Sequence, residues 1–137
     1  MYDTAGTAWP YSANAGVSAN GSGFTSGNSP APQASQVAYL QETGSFSQSF
    51  SGWATGSYVI TFDAAQRANF QASHQDFNVL VDGVVVGACT PSGTAYQGHI
   101  TAAFTVATGV HPIAFQGLDT AGGDNTAFID DVSVHFA

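Results

Sequence analysis

Lysine is absent from this 137-residue chain, and Arg67 is its single arginine. A phosphate-binding surface needs a stripe of basic side chains, so a nucleic-acid partner is excluded. An anionic membrane surface is excluded on the same ground. Charged residues are only 7% of the chain, against roughly 25% in an average globular protein. The acids outnumber the lone cation, and the formal net charge is −8. A single cysteine, Cys89, rules out an internal disulfide. It lies in the apolar stretch VVVGACT without the electropositive neighbours of a reactive thiolate, and it reads as a small buried hydrophobe. No apolar run approaches the ~20 residues of a membrane span. No signal peptide is legible, because Met1 is followed at once by polar sequence. The histidines lack zinc spacing of the H-x-x-x-H kind, and no G-x-S-x-G elbow is present.

What remains is a chain that is 44% hydrophobic and builds its polar surface from Ser, Thr, Asn, Gln and Gly. A chain of this length supports one substantial core, and a single domain over residues 1–137 is expected. Neutral hydrogen-bonding groups suit a secreted protein and a sugar partner; they equally suit a non-sticky spacer. The apolar residues recur with period two, which predicts strands rather than helices. Strands are expected at residues 36–41 (QVAYLQ), 45–50 (SFSQSF), 57–63 (SYVITFD), 77–81 (FNVLV), 84–88 (VVVGA), 99–106 (HITAAFTV), 110–116 (VHPIAFQ) and 126–136, with a further short strand around Trp9 and Tyr11. Alternation in SYVITF puts Tyr58, Ile60 and Phe62 on one face. Asp82-Gly83 is a two-residue hairpin signal, and Thr108-Gly109 joins the next pair. Short strands with turns at this spacing indicate an all-β fold, a two-sheet antiparallel β-sandwich. Three connections are long enough to carry function: residues 12–35, 66–75 and 90–99.

Six stretches carry a family resemblance in order: NGSGFTSGNSPAP, QVAYLQETGSFSQSF, GSYVITFDAAQR, FNVLVDGVVVG, TAAFTVATGVHPIAFQGLD and GGDNTAFIDDVSV. Together they resemble the galactose-binding-like jelly-roll domains, near the family 4, 9 and 22 carbohydrate-binding modules. The resemblance spans nearly the whole chain and speaks more to fold than to ligand. It implies a domain that sits beside glycoside hydrolases or recurs in large secreted bacterial proteins. It also implies a structural Ca2+ between the start of the chain and the acidic last strand. The early strand of that pattern, commonly N-G-x-F-E, is not visible in MYDTAGTAWPY.

Each candidate site residue has a bland reading beside the functional one. Asp130 and Asp131 are adjacent in a strand, so their carboxylates diverge, and a glycosidase pair about 5–10 Å apart is not expected there. Parity puts Asp130 with Phe128, Val132 and Val134 on the apolar side, where a carboxylate must be compensated. Calcium at Asp130, implied by the resemblance, is one solution, and capping of loop N–H groups is the other. Asp131 is expected to face solvent. Arg67 either pairs with an acid or offers its planar fork to sugar hydroxyls. Trp9 and Tyr96 are preferred among the aromatics as surfaces for the C–H face of a sugar, against a role as plugs between loop and core. Trp53 reads as such a plug. His74 and His99 share loops with Arg67 and Tyr96 and can donate or accept; His111 and His135 read as surface residues. Asp124 and Asn125 sit in a glycine-rich loop, where turn chemistry and sugar contact are both open.

The reading is a non-catalytic carbohydrate-binding module of a secreted bacterial protein, fused to other domains and holding a polysaccharide or oligosaccharide. The proposed ligand set is Trp9, Arg67, His74, Tyr96, Asp124 and Asn125. The second expectation is a structural repeat or adhesion domain with no sugar site.

Overall fold

The computed structural model describes residues 15–19, 28, 36–68, 71, 73–121 and 125–137. Among them every regular element is a strand: β1 (Ala15–Ala19), β2 (Gln36–Gln41), β3 (Ser45–Trp53), β4 (Gly56–Gln66), β5 (Phe77–Val81), β6 (Val84–Cys89), β7 (Gln97–Ile100), β8 (Phe104–Val106), β9 (Gly109–Gly117) and β10 (Thr126–Phe136). They form two antiparallel sheets. The first runs β1-β2-β10-β4-β7, with β8 also on β4; the second runs β3-β9-β5-β6. This is the expected two-sheet jelly roll.

The core follows from side-chain alternation. In β4 the residues Tyr58, Ile60, Phe62 and Ala64 are buried while Val59, Thr61 and Asp63 are less so. β5 alternates without exception. Between the sheets Phe62, Phe77, Phe115 and Phe46 meet. Phe46 stacks on Phe115 with centroids 5.1 Å apart, and Phe62 stands edge-on to Phe115 at 5.5 Å. Each such pair adds about 0.5–1.5 kcal/mol beyond the area it buries. Cys89 is buried, and burial pushes its thiol up to about 12. Trp53 is 3% exposed and meets Tyr58 edge-on at 4.8 Å, a plug as expected.

Turn chemistry decides the connections. Asp82 (φ 53°) and Gly83 (φ 77°) both adopt the left-handed region, which the tight β5–β6 turn requires.

The structure corrects the sequence reading at four points. Residues 12–35 are not all connection, because β1 lies within them and pairs with β2. The stretch 99–106 is not one strand. Thr101 interrupts it, its backbone N–H donating to Ile60 O and its Oγ1 accepting from Ile60 N, so β7 and β8 pair separately with β4. Thr108-Gly109 joins strands of different sheets, since β8 pairs with β4 and β9 with β3. The face of Asp130 also differs. Asp130 lies opposite Asp63 and Ser133 opposite Thr61, so Asp131 and Val132 together oppose Phe62. That extra residue is a β-bulge, with Asp131 at φ 55°. The bulge breaks parity. Val134 enters the core opposite Ile60, but Asp130 shares the outer face of the first sheet with Asp63. Phe128, opposite Ala65, is on that outer face too and is nonetheless fully buried. The strand expected around Trp9 and Tyr11 lies outside the described residues.

Candidate functional site

The connections β2–β3, β4–β5, β6–β7 and β9–β10 gather at one end of the sandwich. The clamp that holds them is made of side-chain amides. Gln66, the last residue of β4, is 2% exposed. Its Nε2 donates to Gln75 O (2.8 Å) and Pro91 O (2.9 Å), and its Oε1 accepts from Gln75 N (3.0 Å) and Gln71 Nε2 (2.8 Å). Gln75, fully buried, donates from Nε2 to Glu42 O (2.8 Å), and its Oε1 accepts from Asp119 N (2.9 Å). Asn28 ties the same strand end from the other side. Its Nδ2 donates to Gln66 O and Thr94 O, and its Oδ1 accepts from Ala68 N. A neutral amide can donate and accept at once, which is why this chain of few charges uses Asn and Gln here.

Between the β4–β5 and β6–β7 connections lies a cleft of about 660 Å3, lined by Gln66, Arg67, Ala68, Gln71, Ser73, His74, Ser92, Gly93 and Thr94. None of the described lining residues is a carboxylate. Arg67, the chain's sole permanent cation, is 8% exposed at the cleft wall, and its backbone N–H donates to Thr126 O. His74 is exposed at the rim. A wall of amides, hydroxyls and one guanidinium can bind a neutral polyhydroxylated ligand through directional hydrogen bonds.

Of the predicted ligand residues, Arg67 and His74 line this cleft. Asn125 stands behind it, 1% exposed. Its Oδ1 accepts from Ser73 N, and its Nδ2 donates to Ser73 Oγ and Asp119 Oδ2. Its described bonds are thus turn-fixing ones. Asp119 accepts from Ser73 Oγ, Ala121 N and Asn125, which hold its carboxyl below the usual carboxylate range. Tyr96 is not in the cleft lining. Burial first, and then the Asp130 carboxylate, push its phenol well above the ordinary range, so it stays a donor at neutral pH. Trp9 and Asp124 lie outside the described residues, as does Phe70. His99 leaves the Arg67 group altogether and stacks on Phe62 at 5.4 Å. His111 is no idle surface residue: its two ring nitrogens lie 2.7 Å from Asp82 Oδ2 and 2.6 Å from Ala107 O. Asn28, Gln66, Gln71 and Ser73 were not singled out in the sequence. Their only signal was the density of amides around GSYVITFDAAQR and GNSPAP.

On the outer face of the first sheet, Asp63, Asp130 and Asp131 converge at the bulge. Asp63 is held above the usual carboxylate range by burial, then by a hydrogen bond shared with Asp131, then by the charges of Asp131 and Asp130. Carboxylate oxygens are the donors calcium prefers. Yet among the described residues no three acidic, imidazole or thiol groups gather as a metal site. The donors fit in kind, and the described ones do not complete a shell.

No protein-family model matches the chain, and no curated protein matches it. Solved structures do. A native family 35 carbohydrate-binding module from Clostridium thermocellum is similar at 17% identity and a TM-score of 0.65, over 94% of this chain and 92% of that one. TmCBM61, solved in complex with beta-1,4-galactotriose, is similar at 18% identity and a TM-score of 0.64, over 94% and 88%. The module CBM36, in complex with calcium and xylotriose, is similar at 18% identity and a TM-score of 0.61, over 94% and 100%. This chain therefore has the jelly-roll fold of the carbohydrate-binding modules.

Proposed function

We propose that this protein is a non-catalytic carbohydrate-binding module that holds a polysaccharide or oligosaccharide in the loop-end cleft. The observation that carries the reading is the cleft itself: about 660 Å3, its described wall made of amides, hydroxyls, an imidazole and the Arg67 guanidinium, on a fold shared with such modules. Arg67 donates to ligand hydroxyls from a fixed position, and His74, Gln71 and Ser73 add donors and acceptors. Trp9, Tyr96, Asp124 and Asn125 complete the proposed set, Asn125 by fixing the Ser73 turn. A secreted bacterial protein, in which a neighbouring domain acts on the captured glycan, is the proposed setting. A structural calcium at Asp130 belongs to the same reading, supported by the carboxylates around it and by the calcium in CBM36.

The second reading, a structural repeat or adhesion domain without a sugar site, is supported by one observation. Among the described residues lining the cleft there is no Phe, Tyr or Trp. Titration calorimetry against xylan, mixed-linkage β-glucan, xyloglucan, mannan and galactan, with calcium and with chelator, separates the two. Saturable heat from one glycan class supports the module, and silence with all of them supports the spacer.

A further inference from the structure

The end of the sandwich opposite the cleft carries a second recess. It measures about 290 Å3 and is lined by Gly52, Trp53, Ala54, Tyr58, Val134 and Phe136. Phe136 is 74% exposed, and it is the one exposed aromatic among the described residues. Its ring stacks on Tyr58 at 4.9 Å with planes 25° apart, which leaves a broad aromatic surface turned outward. Trp53 packs edge-on beneath Tyr58, and its indole N–H is buried with no hydrogen-bond partner among the described residues. The Tyr58 hydroxyl donates to Ala54 O at 2.7 Å, so its oxygen can still accept.

Each property narrows the ligand. No lining residue carries a charge at neutral pH, so an anion finds no counter-charge here. The volume holds about one six-membered ring, at the lower limit of small-molecule sites. A flat π surface beside one free acceptor suits a ring with an apolar face and hydroxyl-bearing edges. We infer that this recess is a second ligand site, taking a single neutral pyranose unit stacked on the outward face of Phe136 with a hydroxyl edge toward the Tyr58 hydroxyl. The sugar chemistry rests on the proposed function; the place does not. β4 runs from this end at Gly56 to the cleft at Gln66, eleven residues, or roughly 35 Å at strand rise. The two sites are therefore too far apart to share one sugar ring. They would engage distant points of one chain or two chains, and avidity follows from that.

The test is a 15N-NMR titration of the 137-residue chain with xylotriose and, separately, β-1,4-galactotriose. The chain has two tryptophans, so its indole N–H signals are assigned with one Trp9→Phe variant. The expected result is saturable movement of the Trp53 indole N–H and the Gly52 amide. Phe136→Ala weakens that movement at least tenfold, Phe136→Trp keeps it, and the Gly93 amide at the cleft responds alike in all three proteins. Movement at Gly93 with Trp53 and Gly52 still would overturn the second site and leave the proposed function standing. Movement at Trp53 with Gly93 still would uphold this site and remove the cleft. Stillness at both ends overturns both. Equal movement in Phe136→Ala, or a dimer by sedimentation that Phe136→Ala dissociates, also overturns the sugar site.

Discussion

Gln66 and Gln75 clasp each other reciprocally: Gln66 Nε2 donates to Gln75 O at 2.8 Å, and Gln66 Oε1 accepts the Gln75 N–H at 3.0 Å. One side chain thus replaces a strand partner for a backbone that has left the sheet, and it holds the β4–β5 connection against the cleft. Gln66→Leu keeps the volume but orphans Gln75 N, Gln75 O and Pro91 O. The expected loss is about 2–4 kcal/mol, since each buried unpaired group costs about 1–3 kcal/mol and the costs overlap. Urea unfolding measures it. A loss within 0.5 kcal/mol would show that water replaces the clasp.

Gly117 closes the same end. A Cβ there would lie 2.3 Å from Glu42 O and 2.7 Å from Gln75 Nε2. The first obstacle is backbone and cannot swing away. Gly117→Ala is expected to cost about 3 kcal/mol or more through overpacking, while Gly93→Ala, with nothing within 4 Å of its Cβ, is expected to cost little. Parallel thermal melts compare them.

His111 makes the opposite end pH-sensitive. Both of its ring nitrogens face acceptors, Ala107 O and Asp82 Oδ2, and only the imidazolium donates to both. The Ala107 carbonyl first, then Asp82, raise its pKa over the lowering effect of burial. A raised folded-state value means the stabilisation is fully present below the ordinary pKa of about 6.5 and fades as pH rises through the folded value. His99 runs the other way, because burial lowers its pKa. Comparison with His111→Gln therefore isolates the effect. The wild type should lose its Tm advantage over the variant as pH rises above the ordinary value of about 6.5, and NMR titration should place His111 above that value. An advantage that does not change with pH would contradict the bridge.

The strand pattern was legible where large side chains alternate with polar ones. QVAYLQ, FNVLV and the 126–136 stretch read off with the bounds observed. β1 was not legible, because AGVSA offers almost nothing but small side chains. The bulge at Asp131 was not legible either, since an Asp in the left-handed region leaves no periodic trace, and so the face of Asp130 was misassigned. Arg67 and His74 could be placed together because they share one connection. Asn28 could not, since its partners Gln66 and Thr94 are 38 and 66 residues away.

Calcium at Asp130 predicts a stability response. Asp63 shares a hydrogen bond with Asp131 and feels the charge of Asp130; burial first, then these neighbours, push it toward its neutral form. Added Ca2+ is expected to raise Tm by several degrees, chelator to reverse it, and Asp130→Asn to remove it; a bound ligand stabilises in proportion to RT ln(1 + [L]/Kd). Differential scanning calorimetry with Mg2+ as the control reads the effect. No shift at millimolar Ca2+ would leave Asp130 to hydrogen bonding alone.

The central claim is that the loop-end cleft binds glycan. Gly93 lines that cleft and no described atom lies within 4 Å of its Cβ position, so a bulky side chain can be placed there without a clash at Cβ. The direct measurement is titration calorimetry of the wild type and of Gly93→Phe against whichever glycan of the panel gives the largest heat, with melting temperatures recorded alongside. Saturable binding by the wild type, weakened at least tenfold in a variant of unchanged Tm, is the predicted result. Equal binding by both proteins, or no binding by the wild type to any glycan of the panel, would contradict it.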